Sequence, residues 1–353
     1  MTQNDIVQKL WNLCDVLKDD GINYSDYVSE LVMLLFVKMV DELDDEFSTL
    51  AKIYPEKYKW AHFNDHNGIE LLNFYKQMLL DLSQNQNELI ASIYANAQTR
   101  LREPRHLQQL IREFDKLDWF SIKADGLGDL YEGLLEKNAT ETKSGAGQYF
   151  TPRPLINSIV RCIQPKPSEV IQDPACGTAG FLIAADAYIR QHNDLYALTE
   201  LETKFYTLEA FTGVELVPNT RRLAQMNCLL HDIGGEQGAI RLGNSLGPVG
   251  ENLPKADVIL ANPPFGTSKG GEASITRDDL PFNTSNKQLA FLQHIYMNLK
   301  PGGRAAVVLP DNVLFEAGQG TSIRQDLMNK CNVHTILRLP TGIFYAQGVK
   351  TNV

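Results

Sequence analysis

The spacing of apolar residues divides the chain into two parts. In the first part apolar positions recur at steps of three and four residues, the period of one face of an α-helix. The clearest run follows the capping cluster Asn23-Tyr24-Ser25 and comprises Val28, Leu31, Val32, Leu35, Phe36, Met39 and Leu43. The same period returns over 71–82, 107–114 and 127–135. Residues 1–138 are therefore predicted to form an all-α domain, whose simplest interpretation is a helical bundle without chemistry of its own.

The pattern changes after a polar stretch of small residues, Asn138 to Gln148, which indicates a boundary loop. Short apolar runs then alternate with helical segments. These runs are EVIQD (169–173), FTGVEL (211–216), AIRL (239–242), DVILAN (257–262), RAAVVLP (304–310) and VHTILRLP (333–340). Such alternation predicts an α/β domain over 139–353, with a doubly wound, mostly parallel sheet. The chain stops in what the pattern indicates is one more strand, so we expect this domain to be truncated at its C-terminal end.

The turn after the first predicted strand, DPACGTAGF, is a candidate binding loop. Asp173 ends the strand, Gly177 and Gly180 permit a tight turn, and a helix begins near Phe181. Such a turn brings backbone N–H groups and a helix N-terminus against a ligand. A carboxylate at its start would repel phosphate and suit a cationic or amine-bearing ligand. A turn of this kind can also serve packing alone.

The next two predicted strands end in further candidates. Glu215 ends the second strand, where an acidic residue accepts hydrogen bonds from ribose hydroxyls in nucleoside-binding sheets. Its separation from Asp173 exceeds that of the dinucleotide fingerprint, and the polar segment 190–210 accounts for the excess as an insertion. Asn244, in the turn after the third strand, could reach an adenine ring. A surface glutamate and an ordinary turn are the alternatives for these two residues.

The fourth predicted strand, which we expect to lie beside the first in a doubly wound sheet, ends in ILANPPFG, with Asn262 followed by Pro263, Pro264 and Phe265. The prolines donate no N–H and fix the backbone. The Asn262 side-chain oxygen and the Pro263 carbonyl therefore form two acceptors that suit an –NH2 group, while Phe265 offers a flat face for a ring to stack on. No strong general base is included, so the proton would leave late, to water. The alternative is a proline-stiffened turn without chemistry.

Composition and charge narrow the class of protein. The 353 residues are 43% apolar and 22% charged, as in soluble globular proteins, and no signal peptide or membrane span is evident. The five cysteines lack the paired spacing of zinc or disulfide sites, which favours a reducing cytoplasm and no metal. His62 and His66 have a possible metal spacing but no recognisable third ligand, so surface histidines are the simpler interpretation. With a net charge of −10, DNA binding would require local contacts or positive surface from another subunit.

Together these segments resemble amino-methyltransferases that use S-adenosylmethionine. More specifically, the chain resembles the modification (M) subunit of type I restriction–modification systems, an adenine-N6 DNA methyltransferase. The segments that carry the resemblance are GAGQYFTPRPL (145–155), DPACGTAGF (173–181), GVELVPNTRRLAQMNCLLHDI (213–233), ANPPFG (261–266) and LPTGIFYAQGVKTNV (339–353). Their order matches the family, and the helical first 138 residues fit its N-terminal domain.

The resemblance implies a Rossmann-like fold and a role for each motif. The residues bordering the methionine part of S-adenosylmethionine would be Gln148, Tyr149, Phe150, Thr151, Pro152 and Arg153. The rest of the cofactor site would comprise Asp173, Gly177, Thr178, Ala179 and Gly180, with Glu215 at the ribose and Asn244 near the adenine. Asn262, Pro263 and Phe265 would hold a flipped adenine, because N6 is otherwise buried in a stacked base pair. Two residues depart from the family: Ala179 replaces a frequent Gly, and Asn244 a frequent Asp.

The resemblance also implies partners. The chain would act on double-stranded DNA as one of two M copies around one specificity (S) subunit, which a restriction (R) subunit can join; it would protect host DNA and be needed for restriction. The helical domain would clamp DNA and contact other subunits. Two alternatives stay open. One is a glutamine-amide protein methyltransferase, which usually has Tyr in place of Phe265 and lacks the Gln-Tyr-Phe-Thr-Pro segment. The other is a non-catalytic assembly subunit.

Overall fold

The computed structural model describes residues 3–22, 26–43, 49–119, 122, 127–141, 151–265, 275–344 and 350–353. The chain forms two compact units, one of residues 1–144 with 225–238 and the other of residues 145–224 with 239–353. The segment 225–238 thus belongs to the first unit, although it follows part of the second unit in sequence. The spacing of apolar residues did not indicate this. No helix in the described part of the chain is long and apolar enough to cross a membrane.

The first unit is all-α over its described residues. Helices α1 to α8 span Gln3–Asn12, Cys14–Asp19, Tyr27–Glu42, Thr49–Ile53, Gly68–Ser83, Glu88–Tyr94, Pro104–Asp115 and Leu127–Glu141. Helix α3 contains the clearest apolar run of the sequence, and residues 31–40 are buried on every side of it. The capping cluster Asn23-Tyr24-Ser25 lies outside the described residues. Helix α8 continues to Glu141, so its last residues, from Asn138 onward, lie in the segment that was predicted to be a loop.

The buried carboxylate of Asp20 forms hydrogen bonds with residues at the start of α7. The Asp20 oxygens accept hydrogen bonds from Arg102 N (2.6 Å), Glu103 N (3.0 Å) and His106 Nδ1 (3.0 Å). The N-cap residue Glu103 makes no side-chain cap of its own. Asp20 therefore satisfies the N–H of the N-cap residue, which has no intrahelical partner, and that of the residue before it.

The second unit is a doubly wound α/β domain, which confirms the predicted fold class. Helices α9 to α16 span Arg153–Ile163, Gly180–His192, Glu200–Leu208, Pro218–Leu230, Pro248–Glu251, Lys287–Asn298, Asn312–Phe315 and Gln319–Lys330, and the part of α12 from Gln225 onward belongs to the first unit. Strands β1 to β5 span Ile171–Asp173, Phe211–Glu215, Ile240–Leu242, Ala256–Ala261 and Leu299–Val307. They pair in parallel in the order β3-β2-β1-β4-β5. The fourth strand therefore lies beside the first, as predicted.

The strand predicted over 333–340 is wrong for most of its length. Two short strands, β6 (Leu309–Pro310) and β7 (Thr351–Asn352), pair antiparallel, and Arg338 alone forms a bridge to Asn352. A strand requires a hydrogen-bonding neighbour along its whole length. In the described chain, residues 351–353 provide one only for residues 337–339. The apolar residues Val333, Ile336 and Leu337 are exposed, because the segment has no strand beside it over most of its length.

Replacing Asp20 with Ala should destabilise the first unit by about 2–4 kcal/mol, because three donors lose their buried acceptor. The free energy of unfolding in urea, followed by circular dichroism, measures this loss. The adjacent Asp19, which is exposed, provides the matched control. An Asp20→Ala loss no larger than that of Asp19→Ala would contradict the role of this carboxylate.

Candidate active site

Three candidate side chains lie at the carboxyl ends of adjacent strands. Asp173 is the last residue of β1, Glu215 is the last residue of β2, and Asn262 directly follows β4. Strand β1 lies between the other two strands. Because the carboxyl ends of parallel strands meet at one edge of a sheet, motifs that are distant in sequence converge there.

The loop from Asp173 to Gly180 folds back onto β2. The Cys176 N–H donates to Val214 O at 3.0 Å, and the Gly177 N–H donates to Glu215 Oε2 at 3.1 Å. Gly177 and Ala179 adopt positive φ angles of 53° and 71°. A left-handed conformation costs an alanine roughly 1–2 kcal/mol, whereas glycine adopts it freely. The departure from the family at Ala179 therefore falls at a strained position, immediately before α10.

Burial dominates the electrostatics of the two carboxyl groups. Burial raises the pKa of Asp173 from an ordinary value of 3.8 to about 8. The Ala175 N–H donates to Asp173 at 3.0 Å and lowers this pKa in part, whereas the negative charge of Glu215 raises it. Burial also raises the pKa of Glu215, against hydrogen bonds from the Val217 and Gly177 N–H groups. A positively charged ligand would favour the ionised form of both groups.

Leu216 was not singled out from the sequence, although it follows Glu215. The Glu215 Oε1 atom accepts the Val217 N–H at 2.8 Å, while the Leu216 side chain is 62% exposed. A large aliphatic side chain left exposed beside a partly buried acid offers an apolar surface for a flat ring. The signal in the sequence is the apolar pair Leu216-Val217, which continues the strand pattern beyond its last buried residue.

The turn after β3 is tied to the loop after β1. Asn244 Oδ1 accepts the Leu246 N–H at 2.9 Å, so this oxygen closes its own turn. The next residue, Ser245, is buried and its Oγ donates to Pro174 O at 2.5 Å. The adenine contact suggested for Asn244 stays a prediction. Ser245 was missed, since a serine in a turn has no distinctive pattern.

The Asn262 amide is oriented by Thr151. Its Nδ2 atom donates to Thr151 Oγ1 at 2.8 Å, and Thr151 is buried. Because the nitrogen end faces Thr151, the amide turns its oxygen to the opposite side. Thr151 was assigned to the cofactor by resemblance, and the structure in addition brings it into contact with the catalytic candidate.

A second hydrogen bond holds the proline turn from another side. Gln288, which is 2% exposed in the first turn of α14, donates from Nε2 to Pro264 O at 3.0 Å. The N-cap of this helix, Asn286, accepts the N–H groups of Gln288 and Leu289. Gln288 was missed in the sequence, because a glutamine in a helix is common and its partner lies 24 positions away.

Phe265 packs edge to face against Phe344. The ring centroids are 5.6 Å apart with an interplanar angle of 89°, and Phe344 is buried. Such a contact fixes the plane of the Phe265 ring. Phe344 belongs to the segment 339–353 that carried part of the resemblance, but it was not named as a site residue.

The first turn of α9 also contacts the loop after β1. Pro152 is the N-cap of α9, and Arg153 Nη1 donates to Gly180 O at 3.3 Å. Gly180 also lies close to Ile156: a Cβ atom there would be 3.1 Å from Ile156 Cδ1. The structure thus brings Thr151 to Asn262 and Arg153 to Gly180. The proposed cofactor residues Gln148, Tyr149 and Phe150 lie outside the described residues.

Comparisons with known proteins identify the family of this chain. The family model of the N-6 DNA Methylase matches residues 122–353, and that of the HsdM N-terminal domain matches residues 6–114. The chain is 56% identical, over its whole length, to the type I restriction enzyme EcoKI methylase subunit of Escherichia coli K12, of which it covers 67%. The chain therefore belongs to the N-6 DNA methylase family. Within that family its relatives are methylase subunits of type I restriction enzymes.

Solved structures support the same membership. One is a modification subunit of a putative type I restriction enzyme from Vibrio vulnificus, with a TM-score of 0.78 and 26% identity over 99% of this chain and 80% of that chain. A structure described as showing complex assembly and conformational transition of the type I R-M system has a TM-score of 0.79 and 28% identity, over 100% of this chain and 74% of that chain. The chain spans about two thirds of the length of the EcoKI methylase subunit.

Asp173→Asn should flatten the pH dependence of stability. Since the pKa of Asp173 is raised in the folded chain, its contribution to stability is full below pH 4 and is lost as pH rises through about 8. Between these values the wild type should lose up to about 1.4 kcal/mol per pH unit relative to the variant. Urea unfolding at several pH values between 4 and 8 measures the difference.

Asp194→Asn is the matched control, because Asp194 also accepts the N–H of the residue two positions later but is exposed. Its pH profile should run parallel to that of the wild type. If Asp173→Asn also ran parallel, Asp173 would titrate in its ordinary range, and its burial would have no effect on its protonation.

Proposed function

We propose that this chain transfers a methyl group from S-adenosylmethionine to N6 of an adenine flipped out of double-stranded DNA. The observation that carries the proposal is the fixed orientation of the Asn262 amide, whose nitrogen donates to Thr151. Family membership supports N6 methylation of DNA as the chemistry. S-adenosylmethionine and the flipped base are what the resemblance to this family implies, and the residues at the strand ends are compatible with both.

Recognition of the substrate amine follows from two acceptors. The Asn262 oxygen is directed away from Thr151, and the Pro263 carbonyl belongs to a backbone that two prolines stiffen. An exocyclic –NH2 group has two hydrogens to donate, one to each acceptor. Both hydrogen bonds draw the hydrogens toward the protein and leave the nitrogen lone pair better able to attack an electrophilic methyl group.

The flipped base is expected to stack on Phe265. In duplex DNA the N6 group lies inside the stack, so the base must leave the helix to reach Asn262. The edge-to-face contact with Phe344 keeps the Phe265 ring in one orientation. A ring of fixed orientation binds a base with less loss of side-chain entropy than a ring that must first be ordered.

The strand ends suit S-adenosylmethionine. Asp173 is a buried and Glu215 a partly buried carboxyl group, both with raised pKa values, and a ligand bearing an ammonium and a sulfonium charge would stabilise their ionised forms. Glu215 is placed to accept ribose hydroxyls, and the exposed Leu216 offers an apolar surface to the adenine ring. When bound, this cofactor supplies the electrophilic methyl group. Asn262 cannot take up a proton at neutral pH, so the amine proton leaves to water.

The function requires partners. A net charge of −10 does not favour DNA binding by this chain alone. Its relatives are subunits of type I restriction enzymes, and one similar solved structure concerns the assembly of a type I R-M complex. We therefore propose that two copies join a specificity subunit that reads the DNA, that a restriction subunit can bind to this complex, and that the complex works in the cytoplasm. The matches to DNA methylases do not favour the glutamine-amide alternative.

Asn262→Ala should lower methyl transfer at least about 100-fold, because a preorganised acceptor at the reacting nitrogen is lost. Asn262→Asp keeps an oxygen acceptor and should retain more activity than the Ala variant. The measurement is transfer of a labelled methyl group from S-adenosylmethionine to DNA by the complex with its specificity subunit. S-adenosylmethionine affinity, measured in parallel by calorimetry, should stay within a few-fold. Wild-type transfer by Asn262→Ala would refute the role of this residue.

Gln288→Ala should lower kcat roughly 10- to 100-fold by loosening the turn that carries Asn262, with little change in S-adenosylmethionine affinity. The matched control is Gln293→Ala, since Gln293 is buried in the same helix and its amide binds both backbone groups of Phe282. Both variants lose a buried amide, but only the first releases Pro264. Equal kcat values for the two variants would assign Gln288 a purely structural role.

A further inference from the structure

Three side chains in the helical unit form a cluster of metal-ligand type. Asp129 and Glu132 lie on α8, and His231 follows the end of α12. One ligand atom from each residue lies within 4.8 Å of the other two. Asp129 and Glu132 are three positions apart, so a helix carries both carboxylates on one face. The cluster lies wholly within the unit of residues 1–144 and 225–238 and is separate from the strand ends that carry Asn262.

The histidine ring is oriented by the protein backbone. His231 Nδ1 lies 2.8 Å from Asn227 O and donates its hydrogen to this carbonyl. This fixes the tautomer and places the imidazole lone pair on Nε2, 3.8 Å from Asp129 Oδ1. A hydrogen bond from the second ring nitrogen to a backbone carbonyl is the usual support of a metal-binding histidine.

Gly128 allows the ring to lie against α8. A Cβ atom at this position would be 2.4 Å from His231 Cε1 and 2.6 Å from both ring nitrogens, so any larger residue would displace the imidazole. Glycine is about 1 kcal/mol less favourable than alanine in a helix. A glycine next to Asp129 is therefore explained by the approach of His231, which brings a nitrogen ligand to two carboxylates.

We propose that Asp129, Glu132 and His231 bind one divalent transition metal ion, of the Mn²⁺ or Zn²⁺ class. Imidazole favours such ions over Mg²⁺ and Ca²⁺, while the two carboxylates supply the negative charge that a divalent cation neutralises. Ligand distances of about 2.0–2.2 Å require the three groups to approach one another slightly. Asp129 can make this movement because its side chain is 59% exposed. The ion joins the first turns of α8 to the residue that follows α12.

The expected absence of metal rested on cysteine spacing and on the pair His62 and His66. In the structure His62 bonds to Asp65 at 3.0 Å, and the ring of His66 stacks on Phe74 at 4.5 Å. Neither residue takes part in the cluster. The proposed ligands come from segments 102 positions apart in sequence, Asp129 and His231, so no local spacing could predict them.

The test is titration of the chelator-treated full chain with Mn²⁺, in which electron paramagnetic resonance measures free Mn²⁺. Mn²⁺ has little affinity for thiolates and therefore avoids the exposed Cys162. We expect one ion per chain in saturable binding. His231→Ala, Asp129→Asn and Glu132→Gln should each weaken binding at least about tenfold. Mn²⁺ should also raise the Tm of the wild type but not that of Asp129→Asn.

His62→Ala is the matched control, since it removes an exposed histidine whose ring nitrogen lies 3.0 Å from an aspartate oxygen. This variant should bind Mn²⁺ as the wild type does. Asp129→Asn decides the outcome if His231→Ala proves unstable, because its exposed side chain keeps its shape. Absence of saturable binding, or equal affinity of Asp129→Asn and the wild type, would overturn the proposal and leave a simple contact between His231 and Asp129. Neither readout depends on methyl transfer.

Discussion

The parallel pairing of β1 with β2 on one side and β4 on the other is the constraint on which the site depends. Strand β1 is only three residues long, yet both neighbours are in register with Ile171. This pairing places Asp173, Glu215 and Asn262 at one edge of the sheet. The chain reverses its direction of winding at β1, and a crevice for ligands opens at such a point in doubly wound sheets. The loops, helices and hydrogen bonds of the site all adjust side chains that this pairing has already brought together.

The Asn-Pro-Pro-Phe turn shows how the surrounding fold completes a local motif. The prolines restrict the backbone, but they do not decide which end of the Asn262 amide faces the substrate. Thr151 makes that choice, Gln288 holds the following carbonyl, and Phe344 holds the ring. Each of the three residues comes from a different segment of the chain. The motif supplies the chemical groups, and distant segments supply their orientation.

The sequence predicted what depends on local pattern and missed what depends on distant contacts. Apolar spacing identified α3, and the order of apolar runs predicted a doubly wound sheet with β4 beside β1, because strand and helix periods are local properties. The acids at strand ends followed from the same pattern. Gln288 and Ser245 were missed because their roles arise only from partners brought close by folding. The prediction of a strand over 333–340 was wrong for a related reason: the sequence of a segment shows its hydrophobicity but not which strand it pairs with.

The length of chain between paired strands also has a consequence for synthesis. Strands β1 to β3 and the loop after β1 are complete once Leu242 has been made, so the half of the site that carries both acids can form early on the ribosome. Strand β1 meets its other neighbour only at Val258, and Gln288 emerges later still. At roughly 5–20 residues per second, the growing chain spends several seconds with the first half folded and the second half absent. The edge of β1 is exposed to mispairing until β4 has been made and pairs with it, and α14 secures the proline turn only later.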